Sequence, residues 1–182
     1  METNSLLLKE GQLKEFRINK PLKVFGIDLG TTNSTITEIT WLPLKGSAEI
    51  PLCQSIEIEQ PTTEGIFTSP LVPSVVAILP SGDAWVGEGA KRLRTDPQQK
   101  NLIPEKTIFF DTKNDMGLKK SYFLANESYN SAWKIAGHIL AFLRNKAQDI
   151  SKTEPNRIVV TVPASFQLNQ RRDTLLAAKM AN

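Results

Sequence analysis

One cysteine, Cys53, and one histidine, His138, are all that 182 residues offer of the usual soft metal ligands. That scarcity excludes a disulfide framework and a cysteine–histidine metal centre, since each needs several such residues at defined spacings. A cysteine standing alone is expected to be buried or inert. His138 has no second ligand close to it in sequence. Basic clusters are equally scarce, and no run of Lys or Arg exceeds two. With 22 basic against 19 acidic residues the net charge is only +3, too balanced to argue for a nucleic-acid partner. Arg171-Arg172 and Lys119-Lys120 read as solvated faces. No apolar stretch approaches the roughly 18 residues that would cross a bilayer, so no membrane partner is expected. Residues 1–21 mix charges with short apolar clusters and lack the apolar core of a signal peptide; a reducing, cytoplasmic setting is the expectation.

What remains is ordinary globular material, 40% hydrophobic and 23% charged, long enough for one domain or one large lobe. Its most pointed stretch is Val24-Phe25-Gly26-Ile27-Asp28-Leu29-Gly30-Thr31-Thr32-Asn33-Ser34. An apolar run of this kind suits a strand buried on both faces. Gly30 allows a sharp turn and a close backbone approach to a ligand, with no Cβ in the way. Thr31, Thr32 and Asn33 bring backbone N–H groups and side-chain donors to one place, as a phosphate requires. Asp28, at the strand's end, suits a hydrated divalent cation beside that phosphate, because Mg²⁺ tends to keep its waters and take few carboxylates. The same residue types also serve a plain β-hairpin turn, where Gly and Asn would satisfy left-handed geometry.

The rest of the chain alternates strand and helix signals. Residues 1–21 read as an N-terminal extension. Strands are predicted over about 23–29 and, in a hairpin with it, over 34–41 (STITEITW). Five prolines between residues 42 and 73 argue for turns and edges, with a strand at Ile56-Glu57-Ile58-Glu59. Residues 73–79 predict another strand, Pro80–Asp83 a turn, Ala84–Val86 its partner, and Gly87–Leu93 a short helix stopped by Asp96-Pro97. The clearest helix spans 130–150. Ala132, Ile135, Ala136, Ile139, Leu140, Leu143, Ala147 and Ile150 recur on one face, Gly137 suggests a close helix–sheet approach, and His138 falls off the stripe toward solvent. Thr153–Asn156 ends that helix region, Arg157–Pro163 is a buried central strand by its β-branched run, and a last helix covers about 169–181. A helix between strands implies a mixed sheet with a right-handed crossover.

Asp28-Leu29-Gly30-Thr31-Thr32-Asn33-Ser34 resembles, letter for letter, the first phosphate loop of the seventy-kilodalton heat-shock (DnaK-type) chaperones. Other segments resemble that family in the same order: Pro73-Ser74 opening a strand, Val86-Gly87 followed by Ala90-Lys91-Arg92, and Val162-Pro163-Ala164 followed by Phe166 and Gln170-Arg171. Glu105–Gly117 is similar to the segment bearing the family's catalytic lysine, with Lys113 and Gly117 at the family spacing. The run before Lys113 is one residue longer than usual, which leaves Lys106 as a second candidate. Ser165 stands where the family has tyrosine, and Gln167-Leu168 replaces an Asn-Asp pair able to cap a helix. The segment before Pro73 is longer, and that between Gly117 and Asn130 much shorter, than in typical members.

The resemblance implies an α/β, ribonuclease-H-like lobe of an actin-like ATPase over residues 22–182, with a trimmed peripheral subdomain at about 66–128. It implies ATP or ADP with Mg²⁺ as ligands: Gly30, Thr31, Thr32 and Asn33 for phosphates, Asp28 for the metal through water, and Lys113 for catalysis. Pro163 and Arg171, eight residues apart as in the family, would relay nucleotide state to a peptide-binding domain; without the resemblance, a strand-ending proline and a solvated arginine would explain them. Unfolded peptide clients, a J-domain co-chaperone and a nucleotide-exchange factor would be partners of the whole protein. The resemblance reaches from about Lys23 to Asn182. The family's second phosphate loop, its Asn-Glu-Pro segment, adenosine pocket and peptide-binding domain are expected beyond that point, so this lobe alone is expected to be inactive. Two alternatives are a sugar or acetate kinase fragment of the same superfamily, and a non-catalytic interaction module.

Overall fold

The computed structural model describes residues 22–41, 52–95, 101–152 and 157–181. Expectations for residues 1–21, for Asp96-Pro97, for Thr153–Asn156 and for Asn182 lie outside the described residues. The alternating hairpin is present: β1 (Leu22–Leu29) and β2 (Asn33–Trp41) pair antiparallel, from Leu22 opposite Trp41 to Leu29 opposite Ser34. β3 (Leu52–Ser55) adds antiparallel to β2. All four of its residues are exposed, so Cys53 is not buried as its solitude suggested.

Two predicted strands are divided. Ile56–Glu59 is broken at Ile56-Glu57, after which β4 (Ile58–Thr62) turns back on β5 (Gly65–Ser69) as a separate hairpin. Ile56 and Ile58 are both buried, so the alternation marked core-facing side chains across a strand break. Residues 73–79 likewise split into β6 (Val72–Pro73), paired with the start of β2, and β7 (Val76–Ile78). Pro73 has no N–H to continue a ladder, and the N–H of Ser74 leaves the strand to reach the carbonyl of Thr32 at 2.8 Å. β7 is flanked antiparallel by β8 (Ala84–Val86) and, beyond α1 (Glu88–Thr95), by β9 (Ile108–Phe109).

A 3₁₀ turn (Thr112–Asp115) precedes the long helix α2 (Ala132–Ser151), the strand β10 (Ile158–Thr161) and the helix α3 (Leu168–Met180). β10 runs parallel to β1, giving the order β10-β1-β2-β3 with β6 also on β2. The sheet is therefore mixed, as a strand–helix–strand crossover requires. β10 is its edge among the described residues, not the buried centre; its burial alternates and Val159 is 57% exposed. β1 also alternates: Phe25, Ile27 and Leu29 are buried whereas Val24 and Gly26 are half-exposed, so only one face is covered among the described residues.

That face packs against α2, whose predicted stripe is buried at seven positions, Ala132, Ile135, Ala136, Ile139, Leu140, Leu143 and Ala147. The eighth, Ile150, is 48% exposed near the helix end. Gly137 admits a neighbouring helix rather than the sheet, because a Cβ there would lie 2.7 Å from Sδ of Met180 in α3. His138 does not point freely into water. Its ring stacks on Tyr129 at 4.2 Å, Nε2 lies 3.1 Å from the carbonyl oxygen of Ser128, and burial lowers its pKa below 6.5.

Leu143→Ala is expected to cost about 2–5 kcal/mol, as cavity-forming core substitutions do, and Ile150→Ala under about 1 kcal/mol, being half in solvent. Equal shifts in the urea midpoint would contradict this assignment of the buried face. The His138 shift has a definite sign: the unfolded chain binds the proton more readily than the folded one. Its contribution is thus complete above pH 6.5 and is lost as pH falls through the lowered folded value. His138→Gln should remove that part of the slope in a urea-midpoint profile, and an unchanged slope would refute the assignment.

Candidate phosphate-binding site

The connection between β1 and β2 is a tight hairpin, yet neither Gly30 nor Asn33 has the left-handed backbone that a plain turn reading assigned to them. Gly30 is required for another reason: a Cβ there would lie within bonding range of the Asn33 carbonyl oxygen. The loop closes on itself where only glycine fits. Thr32 and Asn33 are exposed and Thr31 half-exposed, which leaves their polar groups accessible.

Ser74 braces this loop from the β6–β7 break. Its hydroxyl donates to the carbonyl of Gly30 at 2.8 Å, and its backbone N–H to that of Thr32 at 2.8 Å. With the Ser74 proton engaged, the Ser34 hydroxyl at 2.9 Å is the donor between the two serines. Both serines are buried, so three polar groups are satisfied internally where water cannot reach them.

Asp28 is exposed at the end of β1, and its Oδ1 accepts a hydrogen bond of 2.9 Å from Thr161 at the end of β10. Parallel pairing of β1 with β10 sets Asp28 opposite Thr161 and produces that contact. The second carboxylate oxygen remains for a ligand's water. No group of three or more His, Cys, Asp or Glu able to cage a metal occurs among the described residues. One orientated carboxylate beside accessible phosphate donors fits a mostly hydrated Mg²⁺, and does not fit a fully protein-ligated Zn²⁺ or Ca²⁺ site.

Lys113 is brought to this loop across 84 residues. Its Nζ donates to the carbonyl oxygen of Leu29 at 2.7 Å and lies 5.3 Å from the centre of the Phe166 ring. Lys106, the second candidate, is exposed in the turn before β9. Pro163 and Arg171 are each bonded to Phe166, the residue whose ring lies beside the lysine. The carbonyl of Pro163 accepts from the N–H of Phe166 at 3.0 Å, and Arg171 Nε donates to the carbonyl of Phe166 at 3.0 Å. Both residues are exposed, but Arg171 is held against its own segment rather than free on a helix face. The missing Asn-Asp cap is replaced, since the Gln170 side chain accepts from the backbone N–H of Gln167 at 2.9 Å.

Beyond the expected residues, a concavity of about 120 Å³ joins Thr31, Thr32 and Asn33 to Lys91, Arg94 and Asp111. Lys91 is 3.4 Å from Glu88, and Arg94 lies over the Phe110 ring at 3.7 Å. Sequence reading did not place Lys91, Arg94, Ser74 or Thr161 in the site. Ser74, Lys91 and Thr161 lie within segments singled out for order alone, which was a signal for the segment but not for the side chain.

Ser74→Ala should cost about 1–3 kcal/mol, by stranding the Gly30 carbonyl and the Ser34 hydroxyl. It should also accelerate amide hydrogen exchange at Gly30–Asn33 more than in α2. Uniform acceleration across the sheet would mean that Ser74 has no particular hold on the loop.

The sequence model of the family described as Hsp70 protein matches residues 24–182. A protein named Chaperone protein DnaK from Thermotoga maritima is 37% identical over 158 residues, covering 87% of this chain and 23% of the relative. Its counterpart in Thermosipho africanus is 34% identical, covering 90% and 23%. A Chaperone protein HscA homolog from Ralstonia pickettii is 31% identical, covering 86% and 24%. The chain thus spans about a quarter of the length of the curated relatives it matches. The family match spans the phosphate loop, Lys113 and the Pro163–Arg171 segment, and with the chaperone relatives it favours the chaperone reading over a sugar or acetate kinase: the chain belongs to the Hsp70 family.

Proposed function

We propose that residues 22–182 form the first, ribonuclease-H-like lobe of an actin-like nucleotide-binding domain in a DnaK-type chaperone, with a peripheral subdomain at about 66–128 and an extension at 1–21. Its role is to grip the phosphates of ATP or ADP and to assist ATP hydrolysis. The observation that carries this reading is the Lys113 ammonium on the Leu29 carbonyl, one residue from Asp28 and one from Gly30.

The chemistry follows from that placement. Phosphoryl transfer to water is governed by positioning and by stabilising charge on the equatorial oxygens of the γ-phosphate. Gly30, Thr31, Thr32 and Asn33 offer donors to the β- and γ-phosphates. An ammonium has three donors, and the one spent on Leu29 fixes its direction while two remain for a phosphate oxygen and the attacking water. Bound Mg²⁺ supplies charge neutralisation across the phosphates. Asp28, orientated by Thr161, holds its water shell. Pro163 and Arg171 would pass nucleotide state to the peptide-binding part of the longer protein, where unfolded clients, a J-domain co-chaperone and a nucleotide-exchange factor would act in the cytoplasm.

With one lobe of the proposed cleft, the 182-residue chain is expected to bind Mg-ATP weakly or undetectably by titration calorimetry. Micromolar affinity would overturn that expectation. At millimolar Mg-ATP, amide shifts in NMR spectra should concentrate at residues 28–33 and 113, and Asp28→Ala or Lys113→Ala should abolish them. Shifts centred elsewhere would refute the proposed site.

A further inference from the structure

The Lys113 turn is anchored a second time, at its far end, by a residue outside the loop motifs. Gly117, four residues past Lys113, has a left-handed backbone at φ +80°, and its N–H donates to Oδ2 of Asp173 in α3 at 2.7 Å. It is also pressed onto the first turn of α3, where a Cβ would lie 2.9 Å from the backbone nitrogen of Gln170. Between these points, Met116 is buried at 1% exposure. Asp115 is held by Lys120 at 2.8 Å and by the Tyr122 hydroxyl at 3.0 Å. Only Met116 separates the Asp115 and Gly117 anchors, so they fix where the end of the turn lies.

From this geometry we propose that Asp173 is a positioning residue for Lys113. By clamping Gly117 to α3, its carboxylate holds the 3₁₀ turn at the height from which the lysine ammonium meets the Leu29 carbonyl. α3 begins beside Phe166, whose ring lies under Lys113 Nζ. The segment entering α3 and the helix itself therefore bear on the lysine turn at two points, through the Phe166 ring beside the ammonium and through the Asp173 carboxylate on the Gly117 N–H. A carboxylate accepting from a backbone N–H is stronger than a neutral acceptor, and losing it leaves a half-buried amide without its partner. The assignment rests on the proposed role of Lys113 for its functional meaning, but the positioning itself exists without nucleotide.

The test is competitive acylation of lysine ε-amino groups in the nucleotide-free 182-residue chain, read peptide by peptide by mass spectrometry. Lys106, exposed in its turn, is the internal reference. Asp173→Ala should raise the relative reactivity of Lys113 about three- to tenfold, as the anchor that keeps the ammonium on Leu29 is released. Asp173→Asn, which keeps an oxygen acceptor, should stay within about twofold of the native chain. A general loosening of the fold would also raise Lys134, whose ammonium is likewise held on a backbone carbonyl, that of Glu127 at 2.6 Å, and would not be rescued by asparagine. The proposal is overturned if Lys113 reactivity is unchanged in Asp173→Ala, or if Lys134 rises in parallel. Because no nucleotide is present, failure here is separable from failure of the ATP-site reading, which protection of Lys113 by millimolar Mg-ATP tests in a second arm.

Discussion

A single charge-assisted hydrogen bond, from the Lys113 ammonium to the carbonyl of Leu29, is the constraint on which the site depends. It connects the last residue of β1 to a 3₁₀ turn 84 residues later, and so ties the hairpin to the segment that enters α2. A lysine in a polar loop normally keeps its ammonium in water. Here it is directed onto backbone at the strand end, where the β1–β2 register stops at Leu29 opposite Ser34 among the described residues. The contact orients a cation and at the same time leaves it two free donors, which a deeply buried ion pair would not do.

The loop that faces the lysine is made rigid by neutral groups. Gly30 removes the Cβ that would collide with Asn33, and Ser74, itself bonded by the Ser34 hydroxyl, takes up the Gly30 and Thr32 carbonyls. Each such bond contributes about 1 kcal/mol net, but an orphaned member would cost more. Placing the charges at the rim (Asp28, Lys113, Lys91, Arg94) and the uncharged clamps beneath keeps the desolvation penalty low while fixing the donors. In the proposed role, an anion at the loop would meet donors on a braced backbone, and preorganised sites stabilise developing charge in this way.

Much of this was legible in residue order because local rules and the fold agree. The β1–β2 hairpin followed from STITEITW, and α2 from seven apolar positions at helical steps. Where reading and structure diverge, a tertiary contact decides. β10 reads as buried from its β-branched run, yet it lies at the sheet edge among the described residues with Val159 turned outward. Gly137 signalled a close approach correctly, but only the packing of α3 shows that Met180 is the neighbour. Residues 73–79 look like one strand, and the break at Ser74 exists because its N–H and hydroxyl serve a loop 40 residues earlier. Site residues named from motifs were those with unusual chemistry at unusual spacing. Ser74, Thr161 and Asp173 are common residues whose importance lies in what they touch, and periodicity carries no information about that.

The two braces differ in what they resist. Ser74 acts on the loop from the β6–β7 side and holds its carbonyls, whereas Asp173 acts on the lysine turn from α3 and holds its amide. Among the described residues, the hydrogen bond that joins the two braced parts is the one from Lys113 to Leu29. Loosening either brace therefore changes the same distance, and substitutions at Ser74 and Asp173 are expected to couple although the residues share no direct contact, since interaction energies appear wherever two sites strain one shared element. In a double-mutant cycle read by Lys113 acylation, the combined variant should fall short of the product of the single effects, because a bond already broken by one change has nothing left to lose to the other. Strict multiplicativity would mean that loop and turn respond independently, and that the ammonium contact does not join them mechanically.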